Sequence, residues 1–400
     1  MFVQNAEYQC SDSDIVAVGL QEAPMPFTAI VGFDPLCDIF ATVLSKMDFV
    51  LLNHNRVSIA PGSWGILTML FLKRPLLCYC RKMKLGSVRT GMGGLIGNKG
   101  AAIIKFDIGD FTLCFVNCHL PPHEENNQKR LQDLKFIFGE PCIDNQAIDL
   151  YDSVFLFGDL NFRLEGVTYD DAIQAIKEKQ YKELLAYDQL IIDQKEGSPS
   201  GSQLMLYLEG EIEFQPSYKF EPLTDNYTDP SKGRVPSWCD RILWSLPKRL
   251  MVGKMDSSFV VNRLHQQSYC LCQEPKLSDH RAVSAHFTLQ VDLSAPPSVI
   301  FEPTSWVRGR NAAICFEVVK DTQVSTWDWI ALYPRCFSSI QKDYLYWTYS
   351  PARTNEKENC TYKVLVPSVN VPQDIGYFMF LYYSRVSSSA IGMSPLFHIK

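Results

Sequence analysis

The 400-residue sequence lacks the signals of several protein classes. No basic segment followed by an apolar stretch stands at its start, so we expect no signal peptide. The longest apolar run, Ile66–Cys80, is interrupted by Lys73-Arg-Pro75 and is too short to cross a bilayer. There is no fixed-period repeat and no long low-complexity tract. These absences predict a globular, cytoplasmic protein.

The sequence is also poor in basic charge and in paired cysteines. Lys and Arg number 38 against 44 Asp and Glu, which gives a formal net charge of −6, whereas nucleic-acid binders usually carry a basic surface. The 13 cysteines include Cys78-x-Cys80 and Cys270-x-Cys272, but no paired C-x-x-C spacing of a zinc site. We therefore expect no nucleic-acid partner, and free thiols in a reducing compartment.

The first 290 residues or so alternate between strand and helix patterns, which is typical of an α/β domain. Hydrophobic residues make up 46% of the chain, enough for a substantial core. The predicted strands are Ile15–Leu20, Ala101–Phe106, Phe111–Leu120 and Val154–Phe157. The predicted helices, which carry apolar residues at helical spacing, are Leu36–Met47, Glu124–Phe138 and Tyr169–Leu190.

The pattern changes at Ser294-Ala-Pro-Pro-Ser298, a stretch typical of a linker. Helical patterns are nearly absent beyond it, and short segments rich in aromatic and β-branched residues predict an all-β sandwich. The strand candidates are Asn311–Val319, Trp329–Tyr333, Tyr362–Val366 and Ile375–Tyr383. We therefore predict two domains, residues 1–292 and residues 293–400.

Three apolar strands of the first domain end in polar side chains. Glu22 follows the first, His119 ends another, and Asp159 with Asn161 follows the strand from Val154. Functional sites of open α/β sheets lie beyond strand ends, and carboxylates suit a hard cation such as Mg²⁺. Solvated strand-end charges and an ordinary Gly-Asp turn are the alternative interpretations. Three such ends in one domain favour a catalytic site.

The densest basic group of the first domain lies among aromatic residues. Such a group suits a phosphate-rich ligand, and a solvated basic loop is the alternative, above all for Lys232. The neighbouring Asp279-His280 pair could orient an imidazole, although adjacent side chains of a strand point apart. The basic residues of the group are Lys219, Lys232, Arg234 and Arg241.

A glycine-rich run from Gly86 to Gly100 precedes a strand. It matches neither a P-loop nor a dinucleotide-binding fingerprint, because both of those motifs lie between a strand and a helix. Its glycines let backbone N–H groups approach a ligand, and Lys99 could meet a phosphate. A flexible loop is the alternative.

Seven motifs, taken in order, resemble those of the inositol polyphosphate 5-phosphatase family over about residues 13–290. That resemblance implies an α/β fold of four layers, the α/β/β/α sandwich of the DNase I-like endonuclease/exonuclease/phosphatase fold. Residues Trp306-Val-Arg-Gly309 and Trp327–Pro334 resemble a SKICH domain, an all-β sandwich that directs its hosts to membranes and partners. The seven motifs are Gly19-Leu-Gln-Glu22, Gly97-Asn-Lys-Gly100, Asn117-Cys-His-Leu-Pro121, Gly158-Asp-Leu-Asn-Phe-Arg163, Pro216-Ser-Tyr-Lys-Phe220, Pro236-Ser-Trp-Cys-Asp-Arg-Ile-Leu243 and Ser278-Asp-His280.

The resemblance to the 5-phosphatases implies a catalytic machinery. Glu22 would hold Mg²⁺, Asp159 would activate the attacking water, and Asn161 would position that water and the phosphate. His119 and His280 would contact the 5-phosphate and stabilise charge in the transition state. The implied chemistry is in-line attack of water on phosphorus, with the metal and hydrogen-bond donors neutralising the phosphoryl oxygens.

The same resemblance implies a set of supporting and binding residues. Asp240 and Asp279 would orient His280 or support the metal. Asn98 and Lys99 would lie near the 1-phosphate, and Arg241 belongs to the basic group expected to bind substrate. The family's 4-phosphate contacts match Tyr218, Lys219, Lys232 and Arg234.

The first functional hypothesis is a Mg²⁺-dependent phosphatase for the 5-phosphate of PI(4,5)P2 and PI(3,4,5)P3, with soluble inositol polyphosphates as further candidate substrates. Its expected partners are phosphoinositide headgroups, inositol phosphates and a protein bound through the SKICH domain. The resemblance further implies a cytoplasmic enzyme recruited peripherally to the plasma membrane or the endoplasmic reticulum.

Two alternatives remain open at this point. Members of the family begin with a strand carrying a Trp-Asn motif whose Asn completes the metal site, and no such motif precedes Glu22; Asn5 does not match it. That departure favours a catalytically impaired short isoform that acts as a membrane-recruited adaptor. A nuclease of the same superfamily is the third hypothesis, which the acidic balance and the Tyr218-Lys219 element oppose.

Overall fold

A six-stranded sheet is the central element of the computed structural model, which describes residues 12–31, 33–94, 96–196, 203–228, 234–245, 263–294, 297–352, 360–374 and 376–400. Its parallel pair lies in the middle, and its other neighbouring strands are antiparallel. In order across the sheet, the strands are β4 (Cys80–Gly91), β5 (Ile96–Ile108), β6 (Phe111–His119), β7 (Ser153–Asp159), β9 (Asp240–Ser245) and β8 (Tyr207–Glu209).

A second layer of strands covers one face of this sheet. Its parts are a three-stranded antiparallel sheet and a separate antiparallel pair. Stacked rings of Phe106, Phe115 and Phe155 lie in the apolar core between the layers, which explains why the central strands are continuous apolar runs. The strands are β1 (Ile15–Pro24), β3 (Trp64–Lys73) and β2 (Phe49–Val57), then β10 (Leu264–Leu271) with β11 (Val283–Leu289).

Helices form the two outer layers. Helix α1 (Pro35–Leu44) packs its apolar face on β2 and β3, and it begins where Asp34 accepts a hydrogen bond from the backbone N–H of Leu36. Helix α2 (Asn127–Gly139) covers the other face of the six-stranded sheet. The order helix, sheet, sheet, helix confirms the predicted four-layer sandwich.

The segment predicted as one helix over Tyr169–Leu190 is wrong in its continuity. It forms α3 (Tyr169–Lys177), α4 (Tyr181–Leu185) and the start of α5 (Gln189–Glu196). Lys179 has a φ of 58°, a left-handed conformation that ends a helix. Apolar spacing alone does not reveal such a break.

The C-terminal domain is a β-sandwich, as predicted. Its sheets enclose a core that includes Trp306, Phe316 and Phe380. The first sheet holds β12 (Val299–Phe301), β13 (Ala312–Val318) and β16 (Cys360–Val366). The second holds β15 (Tyr346–Tyr349), β14 (Trp329–Pro334), β17 (Tyr377–Ser384) and β18 (Ser389–Met393), with β19 (Phe397–His398) beside β17. The predicted strand start at Ile375 lies outside the described residues.

The two domains share one apolar core. Tyr333, Phe337 and Leu381 of the sandwich belong to the same buried cluster as Leu52 and Leu77 of the first domain. Hydrogen bonds frame the cluster: the N–H of Leu51 donates to Ser338 O at 2.8 Å, and Arg74 donates to Phe337 O at 2.9 Å. The second domain is therefore part of the packing of the first.

The twelve cysteines that the structure describes form no disulfide, as the sequence predicts, and six of them are buried. Burial raises the pKa of the Cys78 thiol to about 12, so that thiol stays protonated and unreactive. Within the same described ranges, no helix is long and apolar enough to span a membrane.

Candidate active site

The ends of four adjacent strands of the central sheet lie side by side in one row. Gly100 of β5 lies opposite His119 of β6, which lies opposite Asp159 of β7, and Asp159 lies opposite Asp240 of β9. Paired residues of neighbouring strands project from the same face of a sheet. The register of the sheet thus assembles side chains that are far apart in sequence.

Asp159 is the buried centre of this row. Its carboxylate accepts a hydrogen bond from Asn161 Nδ2 at 2.8 Å, and its Oδ2 lies 3.3 Å from His119 Nε2. Burial alone would raise the pKa of Asp159, but the hydrogen bond with His119 and the nearby charges of His280, His119 and Arg163 lower it to about 2. The carboxylate is therefore ionised at neutral pH.

Asn161 has an unusual backbone conformation that suits this role. Its φ is 58°, a left-handed value for which asparagine is one of the more tolerant residues. The same amide group donates to Leu120 O at 3.0 Å, so one side chain ties the loop after β6 to the carboxylate of Asp159. This geometry makes Asn161 the group that fixes the orientation of Asp159.

His280 enters the site from the opposite side. Its Nδ1 lies 2.8 Å from Asp240 Oδ2, and the Ser217 hydroxyl donates to the same oxygen at 2.7 Å. Burial would lower the pKa of His280, but the charge and hydrogen bond of Asp240, with the more distant Asp159 and Asp279, raise it to about 9. His280 is therefore an imidazolium at neutral pH.

Lys99 lies inside the catalytic group. Its Nζ is 2.7 Å from His119 Nε2, whereas the sequence resemblance placed it near the 1-phosphate. Burial lowers the pKa of Lys99, while the negative charges of Asp159 and Glu22 act against that shift. The neighbouring Asn98 is exposed on the same strand.

Glu22 reaches the site from the second layer. It lies within the register shift between Leu20 and Ala23 and has a φ of 51°, so the irregular strand end re-aims its side chain. Gln21 Nε2 donates to Asn117 Oδ1 of β6 at 2.6 Å, which ties this strand end to the central sheet.

A basic side of the site adjoins His280. The Tyr218 and His280 rings lie 4.6 Å apart, and Lys219 Nζ is 2.8 Å from Asp279 Oδ2. Arg234 Nη1 lies 2.7 Å from His123 Nδ1, a contact that the sequence does not reveal. The predicted Lys232 lies outside the described residues.

Arg241 does not join the site, which corrects the expectation that it binds substrate. Its guanidinium is fully buried and bonds to Asp188 at 2.9 Å and to Glu209 at 2.6 Å. Strand alternation explains the difference, because Arg241 points away from the face on which Asp240 lies. Its role is structural.

A buried hydrogen-bond network supports the loop after β7, and the sequence pattern does not single out its members. Arg163 donates to Asn161 O at 3.2 Å and lies 4.4 Å from the centre of the Tyr218 ring. Gln189 Oε1 accepts hydrogen bonds from Arg163 N and from Arg130, whose guanidinium also donates to Pro121 O at 3.0 Å. Arg163 is the last residue of the motif Gly158-Asp-Leu-Asn-Phe-Arg163, so the resemblance of that motif could have identified it.

The donor set fits a hard divalent cation. Glu22 is exposed at the end of β1, and its negative charge and that of Asp159 both act against the lowering of the Lys99 pKa. Oxygen ligands are those that Mg²⁺ and Ca²⁺ prefer. Ligand atoms of Asp159, Asp240 and His280 also lie within 4.8 Å of one another.

Comparison with known proteins agrees with this fold. The signature of the endonuclease/exonuclease/phosphatase family 2 matches residues 2–286, and that of the SKICH domain matches residues 299–399. The chain therefore belongs to the endonuclease/exonuclease/phosphatase family 2. The chain also carries a C-terminal SKICH domain, and it is similar to inositol polyphosphate 5-phosphatases.

Individual relatives are similar over most of this chain. Phosphatidylinositol 4,5-bisphosphate 5-phosphatase A of Homo sapiens is 32% identical over 97% of the chain, which spans 38% of that relative's length. Inositol polyphosphate 5-phosphatase K of Mus musculus is 28% identical over 96% of the chain and 83% of the relative. The 5-phosphatase domain of SPsynaptojanin, solved with inositol (1,4)-bisphosphate and calcium, is 26% identical with a TM-score of 0.55, covering 73% of this chain and 82% of that one.

Proposed function

We propose that this chain hydrolyses the 5-phosphate of PI(4,5)P2 and PI(3,4,5)P3, and of soluble inositol polyphosphates, in a Mg²⁺-dependent reaction. The observation that carries the proposal is the row of His119, Asp159 and Asp240 facing His280. It sets an ionised, buried carboxylate beside cationic donors, the combination that attack of water on a phosphate ester requires.

The attacking water would be oriented by Asp159. The carboxylate is held by Asn161, so one oxygen accepts a hydrogen bond from the water in a fixed direction. Asn161 is itself fixed by Arg163. A positioned base of this kind contributes about 10²–10⁴-fold to a rate.

The negative charge of the phosphoryl group would be neutralised by protein donors. His280 is cationic and its Nδ1 is occupied by Asp240, so its Nε2 is the atom left to donate to a phosphate oxygen. His119 and Lys99 offer donors from the other side of Asp159. Because these groups are preorganised, little reorganisation is needed during the reaction.

Mg²⁺ would be held by Glu22, whose negative charge, like that of Asp159, influences the pKa of Lys99. When bound, the metal supplies a Lewis acid for a phosphoryl oxygen. Calcium in the SPsynaptojanin domain supports a divalent-ion site in this family.

The basic side of the site would select the neighbouring 4-phosphate. Lys219 and Arg234 offer charge-assisted hydrogen bonds, and the Tyr218 ring contacts both Lys219 and His280. The names of the human relative and of the bisphosphate complex support an inositol substrate that carries this group.

A lipid substrate is supported by apolar side chains exposed near these motifs. Leu277 immediately precedes the Ser278-Asp279-His280 motif and is 74% exposed, and Leu223, whose N–H bonds to Lys276 O, is 72% exposed. Trp64 pairs with Pro24, two residues after Glu22, and is 59% exposed. Exposed apolar groups around a site favour contact with a bilayer, consistent with peripheral recruitment to the plasma membrane or endoplasmic reticulum through the SKICH domain.

Phosphate release from short-chain PI(4,5)P2 and PI(3,4,5)P3, with Mg²⁺ and with a chelator, tests the proposal. The wild-type chain should release phosphate only with the metal, and Asp159→Ala should abolish release. Asp374→Ala, a change at an exposed carboxylate of the sandwich, is the matched control and should leave the rate unchanged. Equal release by wild type and Asp159→Ala would contradict the proposal.

The adaptor alternative is favoured by one specific observation. Among the described residues, β1 pairs only with β3 and β11 only with β10, and the residues of both strands are mostly half-buried. One further strand could therefore pair with both β1 and β11, and it would join the two halves of the second layer. If the folded chain binds phosphoinositide vesicles but releases no phosphate, the adaptor function is supported instead.

A further inference from the structure

The C-terminal sandwich carries an aromatic cleft that the proposed reaction does not use. It is about 550 Å³ in volume and opens to solvent. Trp327 is 64% exposed, Tyr349 50% and Trp347 44%, a concentration of uncovered aromatic surface that is unusual for a soluble domain. The cleft is lined by Trp327, Trp329, Gln341, Tyr344, Trp347, Tyr349 and Arg385.

The cleft continues the face by which the sandwich packs on the first domain. On β14, Ala331 lies in the shared apolar core, whereas Trp329, on the same face, lies at its border. Trp329 is opposite Tyr383 on one side and opposite Tyr349 on the other. One end of this sheet face is thus covered by the phosphatase domain, and the aromatic end is open.

The rings form corners rather than a flat surface. Trp327 and Tyr349 are inclined at 80° with centroids 5.9 Å apart, and Trp347 and Tyr349 are inclined at 90° with centroids 5.2 Å apart. Perpendicular ring pairs of this kind leave notches whose walls are aromatic faces. A flat, compact apolar ring fits such a notch better than a branched chain does.

The polar groups of the cleft are mostly donors. Within the part of the chain that the structure describes, the indole N–H groups of Trp327, Trp329 and Trp347 have no acceptor, and the guanidinium of Arg385 has no ion-pair partner. A complementary ligand therefore offers acceptors and apolar rings, and it carries few donors of its own.

We propose that this cleft binds a proline-rich segment of a partner protein in the polyproline II conformation, with an acidic residue beside the prolines. Pyrrolidine rings fit the notches, and proline carbonyls accept from the indole N–H groups while proline itself has no N–H to leave unpaired. The extended conformation exists before binding, so little entropy is lost. Arg385 pairs with the acidic residue and sets the direction of the segment.

Calorimetric titration of the full chain tests this proposal. The probe is a synthetic peptide of ten prolines followed by two aspartates, and the comparison peptide replaces the prolines with alternating serine and glycine. Saturable binding of the first peptide alone is expected. Trp327→Ala and Trp347→Ala should each weaken it by about 10-fold or more.

Matched controls distinguish peptide binding in the cleft from nonspecific binding to other exposed aromatic side chains. Tyr377→Ala removes an aromatic side chain that is 54% exposed outside the cleft, and it should leave binding unchanged. Arg385→Gln should remove the advantage of the aspartate-ended peptide over an uncharged polyproline. Far-ultraviolet circular dichroism and phosphate release verify that each variant is folded.

Several outcomes would overturn the proposal. Absence of proline-peptide binding by the folded wild-type chain at millimolar peptide would do so, as would equal binding by the Trp347→Ala variant. Binding to phosphatidylcholine vesicles that depends on Trp327 and Trp347, without peptide binding, would assign the cleft to a membrane surface instead.

Discussion

The Nδ1 atom of His280 lies 2.8 Å from Oδ2 of Asp240. This pair fixes which ring nitrogen of His280 faces the substrate side, and it keeps the imidazole charged. Because Asp240 lies opposite Asp159 in the sheet, one strand register positions both the carboxylate that we propose orients water and the partner of the cationic His280.

Asp240→Asn should lower activity and move its alkaline limit. The pKa of His280 is about 9 with Asp240 present, so wild-type activity should fall as pH rises through about 9. Without the negative charge the pKa drops, and the fall should begin at lower pH, with a loss of about 10²-fold at neutral pH. A pH–rate profile on short-chain PI(4,5)P2 measures both effects, and an unshifted alkaline limb would contradict this role.

The same pair predicts a pH dependence of stability. The folded-state pKa of His280 is raised above 6.5, so its stabilising contribution is complete below pH 6.5 and is lost as pH rises through about 9. Urea unfolding of wild type across this range should show the decline, and His280→Gln should flatten it. An identical slope in the variant would show that other groups cause the decline.

Lys219→Ala should selectively impair substrates with a 4-phosphate. Loss of a charge-assisted hydrogen bond should reduce kcat/KM for PI(4,5)P2 by about 10-fold or more, with little effect on PI(3,5)P2, which lacks that phosphate. The ratio of the two substrates is the measurement. Lys276→Ala removes another lysine of this region, paired with Asp225, and should leave the ratio unchanged.

Arg241→Met should destabilise the fold without a direct effect on substrate binding. The change leaves the carboxylates of Asp188 and Glu209 buried without their partner, which costs about 3–5 kcal/mol of unfolding free energy. Arg263→Met, at a more exposed pair with Asp110, should cost under about 1 kcal/mol. Urea unfolding compares the two, and a raised KM in folded Arg241→Met protein would restore a binding role.

Phe337→Ala should lower the stability of both domains together. Phe337 is buried in the shared core and contacts Arg74, and truncating it should cost about 3–5 kcal/mol. Calorimetry should show a single transition at a lower temperature. Val369→Ala, at a residue that is 86% exposed, is the control, and separate transitions with only one shifted would show independent domains.

Much of the site could be predicted because it lies where apolar strands end. The runs before His119 and Asp159 have the continuous hydrophobicity of buried strands, and the polar residue after each is visible in the sequence. The strand order is not visible in the sequence, so the sequence could not show that Asp240 lies opposite Asp159. That pairing is fixed by tertiary packing.

The corrections share a physical cause. Arg241 resembles a substrate contact in sequence, but its partners Asp188 and Glu209 are 53 and 32 residues away, and no local pattern identifies them. Ser217 and Gln189 act through hydrogen bonds to residues 23 and 59 positions away. The break at Lys179 depends on a single backbone angle, to which apolar periodicity is insensitive.

The common core of the two domains also sets an orientation. Since Tyr333, Phe337 and Leu381 are packed among first-domain side chains, the sandwich cannot swivel on a tether as a flexibly linked module would. Whatever holds the C-terminal domain, a protein or a surface, therefore fixes the height and tilt of the catalytic opening above it. Under the proposed function, such capture would decide which headgroups lie within reach of the site.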